Sequence, residues 1–325
     1  MKKLPKIQLK KKILIATSLF FVFVIVATAT AQEFVRTYTV IPPTVEHKLN
    51  PGDKTEGVIK IINDSSSPLS FKVDVQDYIV SDTQGTPNLV PPDILNGRHS
   101  AASWIGVYPN SFTIPPKTRQ EFRYYLQTPP NAAPGGHYAA VVFTPLATGD
   151  KESTGATVFT QIGTLFYITI AGPINEDANV IRFLTDALHE YGPVKILTQI
   201  KNMGDLHISP KGTVTVSGLF FNEKQELPKY NIFPEAARDF ENTFGKMFML
   251  GRYKASLVAS YGQNNNLPLT ATFYFWVFPW RLAIVITLII IAVILGVMYW
   301  RRRKKQGHKG SEEPKTEVQN PPVSA

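Results

Sequence analysis

The sequence predicts an all-β exported region of two tandem antiparallel β-sandwiches, preceded by a signal peptide and followed by one transmembrane helix. Three observations lead to this arrangement. Apolar and polar residues alternate in many short runs through residues 32–280, an uncharged stretch of 19 residues lies at 282–300, and a lysine-rich start precedes an earlier apolar stretch. Alternation is the period of a half-buried strand, and about 20 apolar residues are needed to cross a bilayer.

The charge of the chain is concentrated at its two ends. The whole sequence has 34 basic and 25 acidic residues, which gives a formal net charge of +9. Residues 1–12 contain six lysines and no acidic residue, and residues 301–325 contain seven basic and three acidic residues. Residues 32–280 carry 20 basic and 22 acidic residues. This region therefore lacks the basic surface of a nucleic-acid-binding protein, and we expect no nucleic-acid partner.

Residues 1–31 are predicted to be a secretory signal peptide. The lysines of residues 2–12 form a positive start, Ile13–Val26 is uncharged and apolar, and Ala29–Ala31 has the small-x-small pattern of a cleavage site. The alternative is an uncleaved N-terminal anchor. In both cases the chain after Gln32 is exported.

Residues 282–300 are predicted to be a transmembrane helix. Trp276 and Trp280 precede this stretch, Tyr299 and Trp300 close it, and the five cations Arg301–Lys305 follow. Aromatic belts and a positive cytoplasmic flank are typical of a membrane span and argue against the alternative, a buried core helix. We therefore expect a single-pass plasma-membrane protein with an extracellular body. Residues 301–325 are predicted to be a basic, disordered cytoplasmic tail.

Alternating strands and frequent turns predict sandwiches for the body. Representative strands lie at residues 71–76, 121–126, 213–217 and 271–275, and Pro- or Gly-containing turns separate such runs. The apolar residues of 180–188 fit helical spacing, but Val180–Thr185 could equally open a strand, and we favour the strand. The polar run Gly262–Asn266 is predicted to join the last two strands as a hairpin.

A weak internal repeat predicts two domains. In the first copy a Pro, an Arg and a Phe precede a Gly-x-Tyr strand start, and the second copy repeats this order (Pro115, Arg119, Phe122 and Gly136–Tyr138; Pro234, Arg238, Phe240 and Gly251–Tyr253). The predicted domains are 32–172, with an insertion at about 78–103, and 173–278. Tyr138 and Tyr253 resemble the tyrosine corner of immunoglobulin-like sandwiches, so both domains are predicted to be immunoglobulin-like and both tyrosines to serve packing rather than ligand contact.

The sequence contains no recognisable catalytic or metal-binding motif. There is no cysteine, and the six histidines are scattered without metal-ligand spacing. Asp74 and Asp77 lie three residues apart, which places them on opposite faces of a strand and makes them a poor acid–base pair. We predict a non-enzyme with no catalytic residue, no metal, no small-molecule cofactor and no identifiable ligand-binding residue.

Two features are weighed as surface sites. Trp104 could be a sugar-stacking platform, but the apolar Ile105 and Val107 beside it favour a core tryptophan that opens a strand. The stretch Thr83–Ser100 is long and rich in turn residues, so it is the better candidate for a binding loop.

Several strings resemble the first domain of the WxL-interacting surface proteins of Gram-positive bacteria: Val40–Pro43, Leu49–Asp53, Ile59–Asn63 and Pro134–Tyr138. That family has the same layout of signal peptide, two immunoglobulin-like domains, C-terminal helix and basic tail. The resemblance implies a surface adhesion or scaffold role, with peptidoglycan bound by the first domain and a partner protein by the second. More distantly, the first domain is similar to pilus-chaperone-like sandwiches.

Three functions are compared. The favoured one is a membrane-anchored, non-catalytic surface protein that binds cell-wall polymer or a partner surface protein. The alternative is a membrane-tethered, chaperone-like assembly factor that acts by β-strand addition, which requires an exposed edge strand in the first domain. The second alternative is a membrane-tethered hydrolase.

Overall fold

The structure is a computed structural model that describes residues 37–91, 98–146, 160–219 and 221–307. Residues 1–31, predicted as a signal peptide, lie outside this part, as do 92–97 of the predicted insertion and 308–325 of the predicted tail. The chain divides into two compact units, one of Met1–Val80 and Pro87–Asn175 and the other of Ser81–Thr86 and Glu176–Ala325. The domain bounds given above remain a prediction.

The first unit contains two sheets. Its strands are β1 (Tyr38–Ile41), β2 (Thr44–Leu49), β3 (Lys54–Asn63), β4 (Leu69–Val80), β5 (Pro87–Val90), β6 (Ile105–Tyr108), β7 (Ser111–Ile114), β8 (Arg119–Gln127), β9 (Gly135–Pro145) and β10 (Ile162–Ile170). Sheet 1 has the order β1-β3-β8-β6. Sheet 2 has the order β2-β10-β9-β4-β5, and β7 also pairs with β4. Residues 38–49 therefore contribute β1 to sheet 1 and β2 to sheet 2.

The core of the first unit is formed by the inward residues of the alternating strands. Phe71, Phe122, Phe143 and Phe166 are completely or almost completely buried, and they come from both sheets. Strand β9 is buried along nearly its whole length, because it lies in the interior of sheet 2. Burial of each such aromatic side chain contributes about 2–3 kcal/mol to the free energy of unfolding.

The second unit repeats the two-sheet plan. Its strands are β11 (Ala178–Leu184), β12 (Leu188–His189), β13 (Val194–Asn202), β14 (Lys211–Gly218), β15 (Phe221–Glu226), β16 (Ala237–Phe244), β17 (Gly251–Tyr261) and β18 (Leu267–Val277). Sheet 3 has the order β11-β13-β16, and sheet 4 has the order β12-β18-β17-β14-β15. Phe240, Phe244 and Phe275 are buried between them.

The ectodomain is therefore all-β and built of immunoglobulin-like sandwiches, as the alternation predicted. The strand interpretation of Val180–Thr185 is confirmed, because β11 covers Ala178–Leu184. The hairpin at Gly262–Asn266 is also confirmed, because β17 and β18 pair antiparallel from Tyr261 and Leu267 onward.

One helix, α1 (Trp280–Gly307), follows β18. Within its segment Trp280–Arg303 an 18-residue window has a mean hydropathy of 3.0, and α1 is the one helix in the described residues that is long and apolar enough to cross a membrane. Residues 301–307 are helical rather than disordered. Arg, Lys and Gln are good helix formers, so the helix continues through the basic cluster to a glycine.

Candidate functional site

Strand β6 forms an open edge of sheet 1. It pairs with β8 on one side, and in the described part of the chain no strand pairs with its other side. Ile105 points into the core, whereas Gly106 and Tyr108 face solvent and the tyrosine is 81% exposed. The strand carries no charged residue. An exposed strand edge without charges presents unpaired backbone N–H and C=O groups to another chain.

A groove of about 430 Å³ runs beside this edge. Its walls and floor combine aromatic rings, small residues and polar side chains (Ser103, Trp104, Gly106, Tyr125, Gln127, Thr128 and Pro129). Gly106 lies opposite Tyr125 in the β6–β8 ladder, and a Cβ added to this glycine would meet no atom within 4 Å. The missing side chain therefore leaves the space that forms the groove.

Trp104 belongs partly to the core and partly to the groove. It ends a short 3₁₀ turn, Ala102–Trp104, so the tryptophan precedes β6 instead of opening it as predicted. The indole is half-buried against the hydrophobic core. Its ring also packs on the imidazole of His137, with the ring centroids 4.4 Å apart. The prediction of a core tryptophan is correct in part, since one edge of the ring remains on the surface.

A buried carboxylate positions the turn that carries Trp104. Asp77 lies on β4 and is fully buried. It accepts hydrogen bonds from the backbone N–H groups of Ala101 and Ala102, at 2.8 and 2.7 Å, and from the hydroxyl of Ser100. Carboxylate–amide hydrogen bonds are among the stronger ones in proteins. Asp77 thus fixes the groove wall, whereas Asp74 lies on the other face of the strand, as predicted, and pairs with Lys72.

The imidazole of His137 connects this turn to the start of β9. Its Nδ1 lies 3.1 Å from the carbonyl oxygen of Ser100, and its Nε2 lies 2.8 Å from that of Ala133. Burial lowers the pKa of His137, and the two backbone carbonyls oppose that shift. The neutral ring can donate to only one carbonyl at a time.

The other end of the groove is fixed by a turn. The hydroxyl of Thr128 lies 2.9 and 3.1 Å from the carbonyl oxygens of Asn50 and Asp53, and its single proton is donated to one of them or shared between both. The Asp53 carboxylate in turn accepts from the backbone N–H of Asn50 at 2.7 Å. This Asn-Pro-Gly-Asp turn was visible in the sequence, but its role in holding the end of β8 was not.

A second histidine lies between the two sheets of the first unit. The Nε2 atom of His47, on β2, lies 3.0 Å from the hydroxyl of Tyr124, on β8. Burial lowers the pKa of His47 and raises the pKa of Tyr124. A Cβ on Gly57 would lie 2.3 Å from the Tyr124 hydroxyl, so the glycine provides the space for this ring.

The corner tyrosines are packing residues in both units. Tyr138 and Tyr253 are almost fully buried. The hydroxyl of Tyr253 accepts from the backbone N–H of Leu250 at 3.1 Å and lies 3.3 Å from its carbonyl oxygen. A tyrosine that bonds to the backbone a few residues upstream is the pattern of a tyrosine corner.

Within the described residues, the remaining predicted features form no second site. Part of the candidate loop Thr83–Ser100 forms β5, which extends sheet 2, and 92–97 lie outside the described residues. Among the residues that the structure describes, no group of three or more His, Asp or Glu side chains could hold a metal ion. The predictions of no metal, no cofactor and no catalytic residue remain predictions. The groove was missed because it joins residues far apart in sequence, and only the exposed alternate positions of β8 indicated it.

Comparisons with known proteins give structural neighbours alone. No protein-family model and no curated protein matches the chain. The class 5 fimbriae chaperone CfaA matches with a TM-score of 0.40 and 14% identity, over 73% of this chain and 98% of that one. The CupB2 chaperone of Pseudomonas aeruginosa matches with 0.36 and 10%, over 74% and 100%. The CsuC–CsuE chaperone–tip adhesion subunit complex of Acinetobacter baumannii matches with 0.37 and 9%, over 73% and 97%.

Proposed function

We propose that this chain is a membrane-tethered assembly factor that binds an extended segment of a secreted partner protein by β-strand addition to β6. Chaperones of pilus subunits are the proteins named in the comparisons, but the observation that carries the proposal is the open, uncharged edge of sheet 1 beside a groove. In β-strand addition, main-chain hydrogen bonds provide affinity and pockets for alternate side chains provide specificity.

The geometry supplies both parts of this mode. Alternate residues of β6 direct their backbone groups away from β8, because an antiparallel ladder uses every second residue for each neighbour. The groove is open where Gly106 lies, and the ring of Tyr125 is exposed along its side. A partner strand on β6 would therefore place a side chain beside Tyr125. No catalytic step is required, and we propose that the protein is not an enzyme.

The membrane location is part of the proposal. Helix α1 has the length and composition to cross a bilayer. Under the positive-inside rule, the cations Arg301–Lys305 at the end of α1 support a cytoplasmic location for that end. Both sandwich units are then outside the plasma membrane, where a secreted partner is accessible.

The test is photo-crosslinking on intact cells with a benzophenone amino acid in place of Tyr108 in the full-length protein. We expect an adduct with a secreted protein, with the crosslinked peptide mapping to a segment of strand-forming sequence. Adding the substitution Gly106→Lys should abolish the adduct, because the lysine side chain would occupy the groove and its charge would oppose pairing of another strand with β6. Val258→Lys, at an exposed position in the interior strand β17, is the matched control and should leave the adduct intact.

The absence of a protein adduct, or an adduct that Gly106→Lys leaves unchanged, would contradict strand addition at β6.

A second candidate is the binding of a cell-wall glycan in the same groove, as the resemblance to WxL-interacting proteins implies. The observation that favours it is the pair of rings of Trp104 and Tyr125 together with the amide of Gln127, a combination suited to a sugar ring. Under this candidate, full-length protein is retained on isolated cell wall and Tyr125→Ala loses that retention. Retention no greater than that of an unrelated sandwich protein would count against it.

A further inference from the structure

The end of the second unit from which α1 leaves has an exposed apolar loop. The juxtamembrane loop, Lys246–Leu250, joins β16 to β17 and contains Met247, Phe248 and Leu250, which are 61%, 78% and 68% exposed. Leu219, in the turn between β14 and β15, is 86% exposed at the same end. Adjacent exposed apolar side chains of this kind mark interaction surfaces.

The loop is held in this position by three contacts. Met249 points inward and is buried in the core of the second unit. The backbone carbonyl of Met247 accepts from the N–H of Gly192 at 3.2 Å, and the Tyr253 hydroxyl bonds to the backbone of Leu250. Because these contacts fix the backbone on both sides of the buried Met249, the side chains of Phe248 and Leu250 face outward.

The strand register places this loop beside the start of the membrane helix. Gly251, which follows the loop, pairs with Val277, the last residue of β18. Helix α1 begins at Trp280, three residues after Val277. Three residues span at most about 10 Å, and the strand pairing with the one intervening residue adds about 9 Å, so Leu250 lies within about 20 Å of the first residue of α1.

The opposite end of the same hairpin has the reverse chemistry. The turn that joins β17 to β18 exposes only amide side chains, from Gln263 to Asn266. Exposed apolar residues at one end of a hairpin and polar residues at the other match the gradient from a bilayer to water. The exposed Lys246 begins the loop, and the exposed Arg252, whose guanidinium lies over the ring of Tyr274, follows it; such cations suit anionic headgroups.

We infer that the juxtamembrane loop inserts its apolar side chains into the outer surface of the bilayer that α1 crosses, so that the second unit docks on the lipid. Apolar groups of interfacial segments reach about 5–10 Å into the boundary between headgroups and acyl chains. The occupant of this surface is the membrane and not a second protein, because the membrane helix fixes the lipid within reach of the loop. This inference rests on the membrane crossing by α1 and is independent of binding at β6.

The absence of native cysteine allows a direct test. Full-length protein carrying Phe248→Cys is labelled with an environment-sensitive NBD fluorophore and reconstituted into vesicles of phosphatidylcholine and phosphatidylglycerol. Leu250→Cys provides a second reporter in the loop. Asn264→Cys, in the polar turn, is the matched control for water exposure, and Ile290→Cys reports lipid contact by α1 itself.

We expect a blue shift, a several-fold gain in emission and quenching by nitroxide-labelled lipid at 248 and 250, with neither the gain nor the quenching at 264. Signals at 248 and 250 equal to that at 264, with quenching at 290, would overturn the docking while leaving the anchor in place. Loss of quenching at 290 as well would overturn both the membrane crossing and the docking.

Discussion

Replacing Asp77 with alanine is expected to release the turn that forms the wall of the groove. In the substituted protein the N–H groups of Ala101 and Ala102 and the hydroxyl of Ser100 lose their common acceptor in a fully buried position. A buried donor without a partner costs about 1–3 kcal/mol, and some relaxation of the turn will reduce the sum, so we expect about 2–4 kcal/mol. Since 1.4 kcal/mol corresponds to a tenfold change in an equilibrium constant, the equilibrium constant for local opening should rise about 30- to 700-fold.

Hydrogen–deuterium exchange of the full-length protein measures this opening directly. The peptide that covers residues 98–108 should exchange faster in Asp77→Ala, whereas peptides of the second unit should not change. Asp74→Ala is the matched control, because Asp74 lies three residues away on the same strand and forms only an exposed pair with Lys72. Such a pair contributes about 0–1 kcal/mol. Equal exchange of residues 98–108 in the two variants would refute the positioning role of Asp77.

Three further predictions concern individual contacts. Tyr253→Phe should destabilise the second unit by about 0.5–1.5 kcal/mol through the lost corner hydrogen bonds, and an unchanged melting transition of that unit would contradict this. Gly57→Ala should destabilise the first unit by about 1–3 kcal/mol, because the added Cβ would overlap the ring of Tyr124. Gly106→Ala is the control, because the added Cβ lies in open space and should leave the melting temperature unaltered. Burial lowers the pKa of both His47 and His137 from 6.5, so the unfolded chain binds more protons and the first unit should lose stability as pH falls below that value. His47→Gln should flatten this dependence, and an unchanged slope of stability against pH would argue against it.

Much of the fold was predictable because it depends on local patterns. Alternation at residues 71–76 or 271–275 requires one buried face, and such strands must pair to satisfy their backbone groups. The ambiguous stretch from Val180 resolved as a strand because sheet 3 supplies a partner for it. The helix runs past the predicted end of the span, since residues 301–307 form a helix although a polar tail without apolar periodicity was expected to be disordered.

The candidate site was not predictable for a physical reason. Its groove depends on the pairing of Gly106 with Tyr125 across β6 and β8. The register in which two separate segments pair cannot be derived from the sequence of either segment alone. The buried role of Asp77 was equally hidden, because its donors lie more than 20 residues further along the chain. Trp104 was visible, but its contact with the ring of His137, 33 residues further along the chain, was not.

Some of the other sheet edges are protected in ways that β6 is not. Strand β2 alternates the exposed charges Glu46 and Lys48 along sheet 2. Strands β15 and β16 end their sheets, yet side chains join them: the amide of Asn242 donates to the carbonyl oxygen of Glu226 at 3.0 Å. Natural sheets use charge and coverage in this way to prevent unwanted pairing. Strand β6 has no charge, is not paired on its outer side within the described residues, and borders a groove. Strands β1 and β5 are also uncharged edges, so the groove is what distinguishes β6 from them. If the proposed partner pairs with β6, Gly106→Lys should reduce binding without reducing the stability of the first unit.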